Sequence, residues 1–338
     1  YQFNYLKKDN FELLKFNNVG QVYNKLSYKS NNNLLPKIGY NANEPLLIGQ
    51  EDYRFYDVAY PLTELFFKTV YSQGQLTDAL FTTNINKNTN FLLGFKALRS
   101  LGKYQNSLSG LKQFRFGFSI IKNNLDSKIF FTSQKLEKHE NGGLNDTSLI
   151  DFESGNSEFK ERSKLNVNFE DAINTYQTRS FYFKNNYTLL NKNQNYISII
   201  YNLNYETTNN KYQQEQASLL YGTLSSGLDE INDHYKFRSL KNVIQLQTKS
   251  SFFDLLIFGY INYNYNFFEM NQTEEKITGE NSSLFSGSIQ KNIGNMKINF
   301  DITQKIKGLR VGNEIDFTLE SDFKKKLKFL INLNLKQS

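Results

Sequence analysis

The sequence predicts an all-β fold, and more narrowly a transmembrane antiparallel β-barrel of about 14 or more strands. Three observations carry that prediction. Apolar and polar residues alternate over runs of about ten residues, the pattern of strands whose successive side chains point to opposite faces. Aromatic residues are abundant, with 30 Phe and 22 Tyr among 338 residues. The punctuation of soluble all-β domains is sparse, at 19 Gly and 3 Pro.

The alternation is clearest in MKINFDITQKI (296–306). Met296, Ile298, Phe300, Ile302 and Ile306 share one parity, and Lys297, Asn299, Asp301, Thr303 and Lys305 share the other. A helix would group Met296 with Phe300, Thr303 and Lys307, which makes no apolar stripe. The stretch therefore reads as a strand with Met296, Ile298, Phe300 and Ile302 toward lipid and Lys297, Asp301 and Lys305 toward a lumen.

The rest of the chain divides near residue 61. Pro36, Pro45 and Pro61 all fall in residues 1–61, together with the polar run NNNLLPK, so this part reads as an irregular segment: a plug, a periplasmic segment or the first strands. Residues 62–338 contain no proline, which cannot donate to a ladder, and read as barrel strands. LKQFRFGFSI sets Phe114, Phe116, Phe118 and Ile120 against Gln113, Arg115, Gly117 and Ser119. RSFYFKNNYTLL, NYISIIYNLNY, FGYINYNYNFF, VGNEIDFTLE and KKLKFLINLNLK repeat the pattern. Strands of about ten tilted residues cover the apolar thickness of an outer membrane, whereas soluble strands centre near five or six. Long outer loops are expected near 139–162, 223–234 and 271–281. If KLNVNFE (164–170) is itself a strand, all three loops emerge on one side. Tyr near strand ends suits an interfacial belt in a chain with no Trp.

Several stretches are distinctive: FNYLKKDNFELLKFNNVGQVYN (3–24), NLLPKIG (33–39), PLTELFFKTVYSQGQLTDALFTTN (61–84), KALRSLGKYQ (96–105), ENGGL (140–144) and FESGNSEFKERSKLNVNFEDA (152–172). Together they resemble the putative porin family of Bacteroidota outer membranes. The resemblance implies an outer-membrane β-barrel made with a secretion signal, located in the outer membrane of a Gram-negative cell. Members of that family are longer and end on a terminal aromatic; this sequence ends INLNLKQS, so truncation is expected.

Composition and motifs narrow the chemistry. With no Cys there are no disulfides or thiolate metal sites. The net charge of +7 is spread over turns and strands, and its densest cluster is Lys324-Lys325-Lys326, so no nucleic-acid partner is expected. His139 and His234 lie in polar stretches without a triad pattern, and no phosphate-cradling glycine loop is present, so no enzyme and no cofactor are expected. Asp146, Asp151, Glu153 and Glu158 form an acidic loop that is a weak Ca²⁺ candidate without EF-hand spacing; the better reading is no metal. Arg115, Lys184, Arg238, Lys297, Asp301, Lys305, Glu314, Asp316, Glu320 and Lys328 lie opposite the apolar parity and are expected to face the lumen. At the lipid midplane a Lys or Arg costs about 2–4 kcal/mol, which favours that placement. The expected function is a porin passing small hydrophilic solutes by diffusion, with outer-membrane lipid as its surroundings. The alternative is a non-conducting scaffold with an occluded lumen, assembled as a homo-oligomer or with other outer-membrane proteins.

Overall fold

The computed structural model describes residues 6–7, 11–26, 35, 41–70, 74–192, 195–216, 220, 230–250, 252–270, 274–294, 296–308, 312–323 and 327–337. Side chains are described to Phe317, apart from Asp316 and a few others, and then only at Leu335. Two short strands, β1 (Leu13–Lys15) and β2 (Tyr23–Lys25), pair with each other. Then come β3 (Leu62–Val70), β4 (Gly74–Asn86), β5 (Thr89–Ser100), β6 (Ser109–Lys122), β7 (Leu125–His139) and β8 (Ile173–Lys192). They continue as β9 (Asn195–Gln214), β10 (Ile231–Lys249), β11 (Leu255–Met270), β12 (Glu274–Ile293), β13 (Met296–Lys307), β14 (Gly312–Phe323) and β15 (Leu327–Gln337). β3 to β15 form one 13-stranded sheet in which each strand pairs antiparallel with the next in sequence. This is the meander of an up-and-down barrel wall, open between β3 and β15.

Strand direction sorts the connections into two sets. At one end are 71–73, 101–108, 140–172, 215–230, 271–273 and 308–311; at the other are 87–88, 123–124, 193–194, 250–254, 294–295 and 324–326. One end thus carries both long loops, the asymmetry of outer-membrane barrels. Two expectations change. KLNVNFE is not a strand: only Val167 bridges, to Leu144, while Leu165 and Phe169 are buried within the loop that also carries α1 (Asp146–Glu153). Residues 274–281 are strand rather than loop, because β12 continues along β11 past a register shift at Phe267/Phe268. The sheet therefore has thirteen strands after residue 61, reaching 20 residues in β8, β9 and β12. Twenty residues at about 3.3 Å each exceed what a tilted strand needs to cross an apolar layer, so these strands extend beyond it.

The two faces differ in what covers them. The inner face is defined by the N-terminal segment, which lies on it. Leu6, Tyr23 and Leu46 are buried against Leu76, Leu98, Leu111, Leu136 and Tyr176 of β4–β8. Tyr53, Phe55 and Tyr56 pack on Leu80, Leu92, Phe130 and Tyr182. Leu35 joins Phe237, Tyr263, Tyr265 and Leu284 on β10–β12. A buried Leu contributes about 1.5–3 kcal/mol, so these contacts hold the segment firmly. Gly20, at φ +90°, lies so close to β5 that a Cβ there would meet Leu98 at 2.6 Å.

The outer face carries an apolar band that no other described residue covers. Leu93, Phe95, Phe114, Phe181, Ile244 and Phe258 are exposed there, as are Phe285, Met296, Phe300 and Ile302, with Phe95 at 48% and Phe300 at 38%. An apolar surface this extended needs a non-aqueous neighbour. Ile298 pairs with Lys291 and Phe300 with Ile289, while Asp301 pairs with Ser288, so adjacent β13 residues alternate between the faces. Nitroxide labels at 298 and 301 should therefore differ in reconstituted protein. Label 298 should be relaxed by oxygen and label 301 by a water-soluble metal chelate; equal protection would contradict the assignment.

Candidate functional site

The inner wall and the segment lying on it form the candidate site. Polar side chains of the wall and of the segment hydrogen-bond across the seam between them. Gln113 Nε2 donates to the Leu46 carbonyl at 3.0 Å. Gln134 accepts from the Ile48 amide at 2.8 Å and donates to the Ile48 carbonyl at 3.0 Å, as a strand neighbour would. Asn18 Nδ2 donates to the carbonyls of Ser107 at 2.8 Å and Ser100 at 3.1 Å. Lys138 Nζ donates to Asn43, and Tyr53 donates to Ser180 Oγ at 2.9 Å. The Tyr53 ring stacks on Phe130 at 4.3 Å. Burial raises the pKa values of Tyr23, Tyr53 and Tyr56.

Beneath the segment lies a cavity of about 420 Å³. Its lining includes Asp78, 2% exposed, which pairs with Arg115 and lies 3.4 Å from Lys7 Nζ; Lys7 also pairs with Glu64. Arg115 lies across the ladder from Gly94, whose hydrogen leaves room for the guanidinium: a Cβ there would come within 2.7 Å of Nε. Lys96, Arg54 and Asp52 complete the charged lining. Farther round the sheet the wall is more polar. Ser286, Ser288 and Gln290 of β12 stand in register with Thr303, Asp301 and Asn299 of β13. Lys305 and Glu280 form a 2.8 Å ion pair at 6% and 8% side-chain exposure.

The expected lumen residues divide as follows. Arg115, Lys184, Lys297, Asp301, Lys305 and Glu314 occupy inner-face positions: Lys184 is in register with Lys128 and Asn202, Lys297 with Asn292, and Glu314 with Thr303. Arg238 does not. It shares the outer parity with Leu240, Ile244 and Leu246, and its guanidinium lies over the Phe268 ring at 4.9 Å. β10 outruns the apolar band, so its outer face turns polar above it, and polarity alone misplaces Arg238. The side chains of Asp316, Glu320 and Lys328 lie outside the described residues.

Sequence reading missed Asp78, Glu64, Lys96, Lys138 and Glu280. In QLTDALFTTN both faces of β4 are mixed, because Leu76 and Leu80 are buried under the segment while Phe81 faces outward. The parity signal is therefore erased there. Asp146, Asp151 and Glu153 fall on α1 and Glu158 on a following 3₁₀ turn (Ser157–Lys160). Among the described residues no three His or acidic side chains gather as metal ligands. His139 meets Asn106 Oδ1 at 2.9 Å and lies three strands from His234.

A family model described as "Putative porin" matches residues 1–338. The chain belongs to the putative porin family. Among solved structures this putative porin is similar to the ferric-catecholate import receptor Fiu from E. coli K12 in its open form. The TM-score is 0.47 at 6% identity, covering 79% of this chain and 49% of that one. It is also similar to the Pseudomonas putida toluene transporter TodX, with a TM-score of 0.30, 10% identity and coverage of 81% and 80%. The chain thus spans about half the length of the receptor it matches. A comparison with curated proteins finds no match.

Two substitutions in the wall separate charge from hydrogen bonding. Asp78→Asn leaves Arg115 short of its buried counter-charge and should cost about 3 kcal/mol. Gln134→Ala removes the paired bonds to Ile48 and should cost about 1–2 kcal/mol. Both are read as the loss of the compact, heat-modifiable form on unheated gels with rising denaturant. An Asp78→Asn protein as stable as the parent would contradict the ion-pair assignment.

Proposed function

We propose that this chain acts in an outer membrane as a porin-like β-barrel through which small hydrophilic solutes diffuse, with its N-terminal segment serving as an internal plug. The observation that carries the reading is the asymmetry of the inner wall. On β4–β8 the wall has buried Leu and Phe side chains that hold Leu6, Tyr23, Leu46, Tyr53, Phe55 and Tyr56 of the segment. On β12 and β13 it carries Ser286, Ser288, Gln290, Asn299, Asp301 and Thr303, groups that can replace a solute's water shell. Solutes would pass along the polar arc beside the plug. Family membership and the uncovered apolar outer face support the membrane location. Lipid and hydrophilic solutes are the partners, and the reading assigns no catalytic step.

The extent of the plug contacts favours a second reading, a barrel that conducts only when the segment moves. Locking the segment discriminates between them. The chain has no Cys, so cysteines introduced at 48 and 134 and joined by a short thiol-reactive cross-linker, a bis-maleimide, would pin the segment without side reactions. Planar-bilayer conductance is then measured for the parent, the locked protein and a protein lacking residues 6–56. A path beside the plug predicts ohmic steps that survive locking. A moving plug predicts steps that locking abolishes and deletion enlarges. Silence from all three, each shown to be folded in the bilayer, would overturn diffusion and leave an occluded scaffold.

A further inference from the structure

On the outer face of β7–β10, the apolar band ends abruptly toward the long-loop end, while on β5 and β6 it continues one row farther with Phe95 and Phe114. Ladder register fixes which side chains lie side by side. Phe131, Phe181, Tyr205 and Leu240, on β7–β10, form one cross-strand row. Two residues nearer the loops, the same strands present Ser133, Arg179, Thr207 and Arg238. Two residues farther on they present Lys135, Gln177, Asn209 and Lys236. At strand spacing, Arg179 and Arg238 stand about 10 Å apart with Thr207 between them. Neither of the two upper rows contains an acidic residue on these strands. Glu137, one row above, pairs with Lys135 at 2.8 Å.

Within these rows lies a depression of about 430 Å³, lined by Phe131, Phe181 and Tyr205 on the apolar side and by Arg179, Lys236 and Arg238 on the basic side. Phe268 supports the Arg238 guanidinium from the neighbouring strand.

We propose that this depression is a binding site for a phosphate-bearing lipid headgroup of the leaflet at the long-loop end. The two guanidiniums and Lys236 hold the phosphate, and the acyl chains lie on Phe181, Tyr205 and Leu240. Guanidinium forks match phosphate oxygens in bidentate geometry, and Thr207 adds a hydroxyl donor between them. An apolar band directly below a cationic row complements an anionic amphiphile, whereas a free phosphate would use only the upper half. The proposal rests on the membrane placement given under Proposed function and is independent of whether the barrel conducts.

The chain has no Trp, so a single introduced Trp reports its own surroundings. Full-length Tyr205→Trp protein is reconstituted with brominated phosphatidic acid or brominated phosphatidylcholine, and quenching is compared. Brominated phosphatidic acid should be preferred, on the order of five- to tenfold, as expected for several basic groups at an anionic headgroup. The preference should vanish in Arg179→Gln/Arg238→Gln. A Trp at Ile199, three rows toward the short-turn end, should show no preference. Equal quenching by both lipids at 205, or a preference that survives the double substitution, would overturn the site. If neither brominated lipid quenches Trp at 199 or 205, the membrane placement itself fails, and the site with it.

Discussion

The whole arrangement depends on one constraint: a continuous sheet has two faces, and here neither face of β4–β7 is fit for water. The outer face carries Leu93, Phe95 and Phe114, and the inner face carries Leu92, Leu98, Leu111 and Phe130. A wall greasy on both sides needs two covers of different kinds. The N-terminal segment supplies the inner one, and it does so with backbone groups held by Gln113 and Gln134 rather than by adding a strand. The outer cover has to come from outside the chain. Polar bonding and apolar burial therefore act together: the segment's amides and carbonyls can leave water only because wall side chains accept and donate in its place.

Register carries this two-sidedness round the sheet. A slip of one residue would move every inner side chain outward, so a mispaired strand would put charge into the apolar band and Leu or Phe into the lumen. The ladders hold parity over long runs and break it at a few points. One is Thr188/Leu190 on β8, where an extra residue leaves both Leu189 and Leu190 outward and exposed near the short-turn end. Such bulges turn parity at a rim, where an additional apolar residue meets the interface instead of the lumen.

How much of this was legible follows from what each face touches. MKINFDITQKI could be read directly because its inner face is polar, so greasy and wet residues separate cleanly by parity. β4 and β5 could not, because the segment makes the inner face apolar as well; Asp78, the best-buried charge of the wall, sits among Leu76 and Leu80. β11 shows the same effect in reverse. Tyr263 and Tyr265 face inward against Leu35, while Asn262 and Asn264 take the outer positions, so greasy parity points away from lipid there. KLNVNFE looked like a strand because Leu165, Val167 and Phe169 alternate; they are buried in the folded loop by its own packing. Arg238 misled for a different reason. Polarity on the outer face is expected once a strand rises above the bilayer, and sequence alone does not say where the bilayer stops.

The placement of charge gives the wall its character. Burying an ion pair is weak evidence for stability, since a well-packed apolar replacement is often as stable or more so. The Asp78–Arg115 and Glu280–Lys305 pairs are better understood by what they leave behind: a wall that stays polar while opposite charges cancel in place. Lys128 and Asp126, on inner positions of β7, cancel in the same way at 2.8 Å. On the outer face Lys112, Arg179, Lys211, Lys236 and Arg238 fall toward the long-loop end, while Lys122, Lys192 and Lys291 fall beside the short turns at the other. Where opposite charges cancel in place, the wall keeps its hydrogen-bonding groups with little net field.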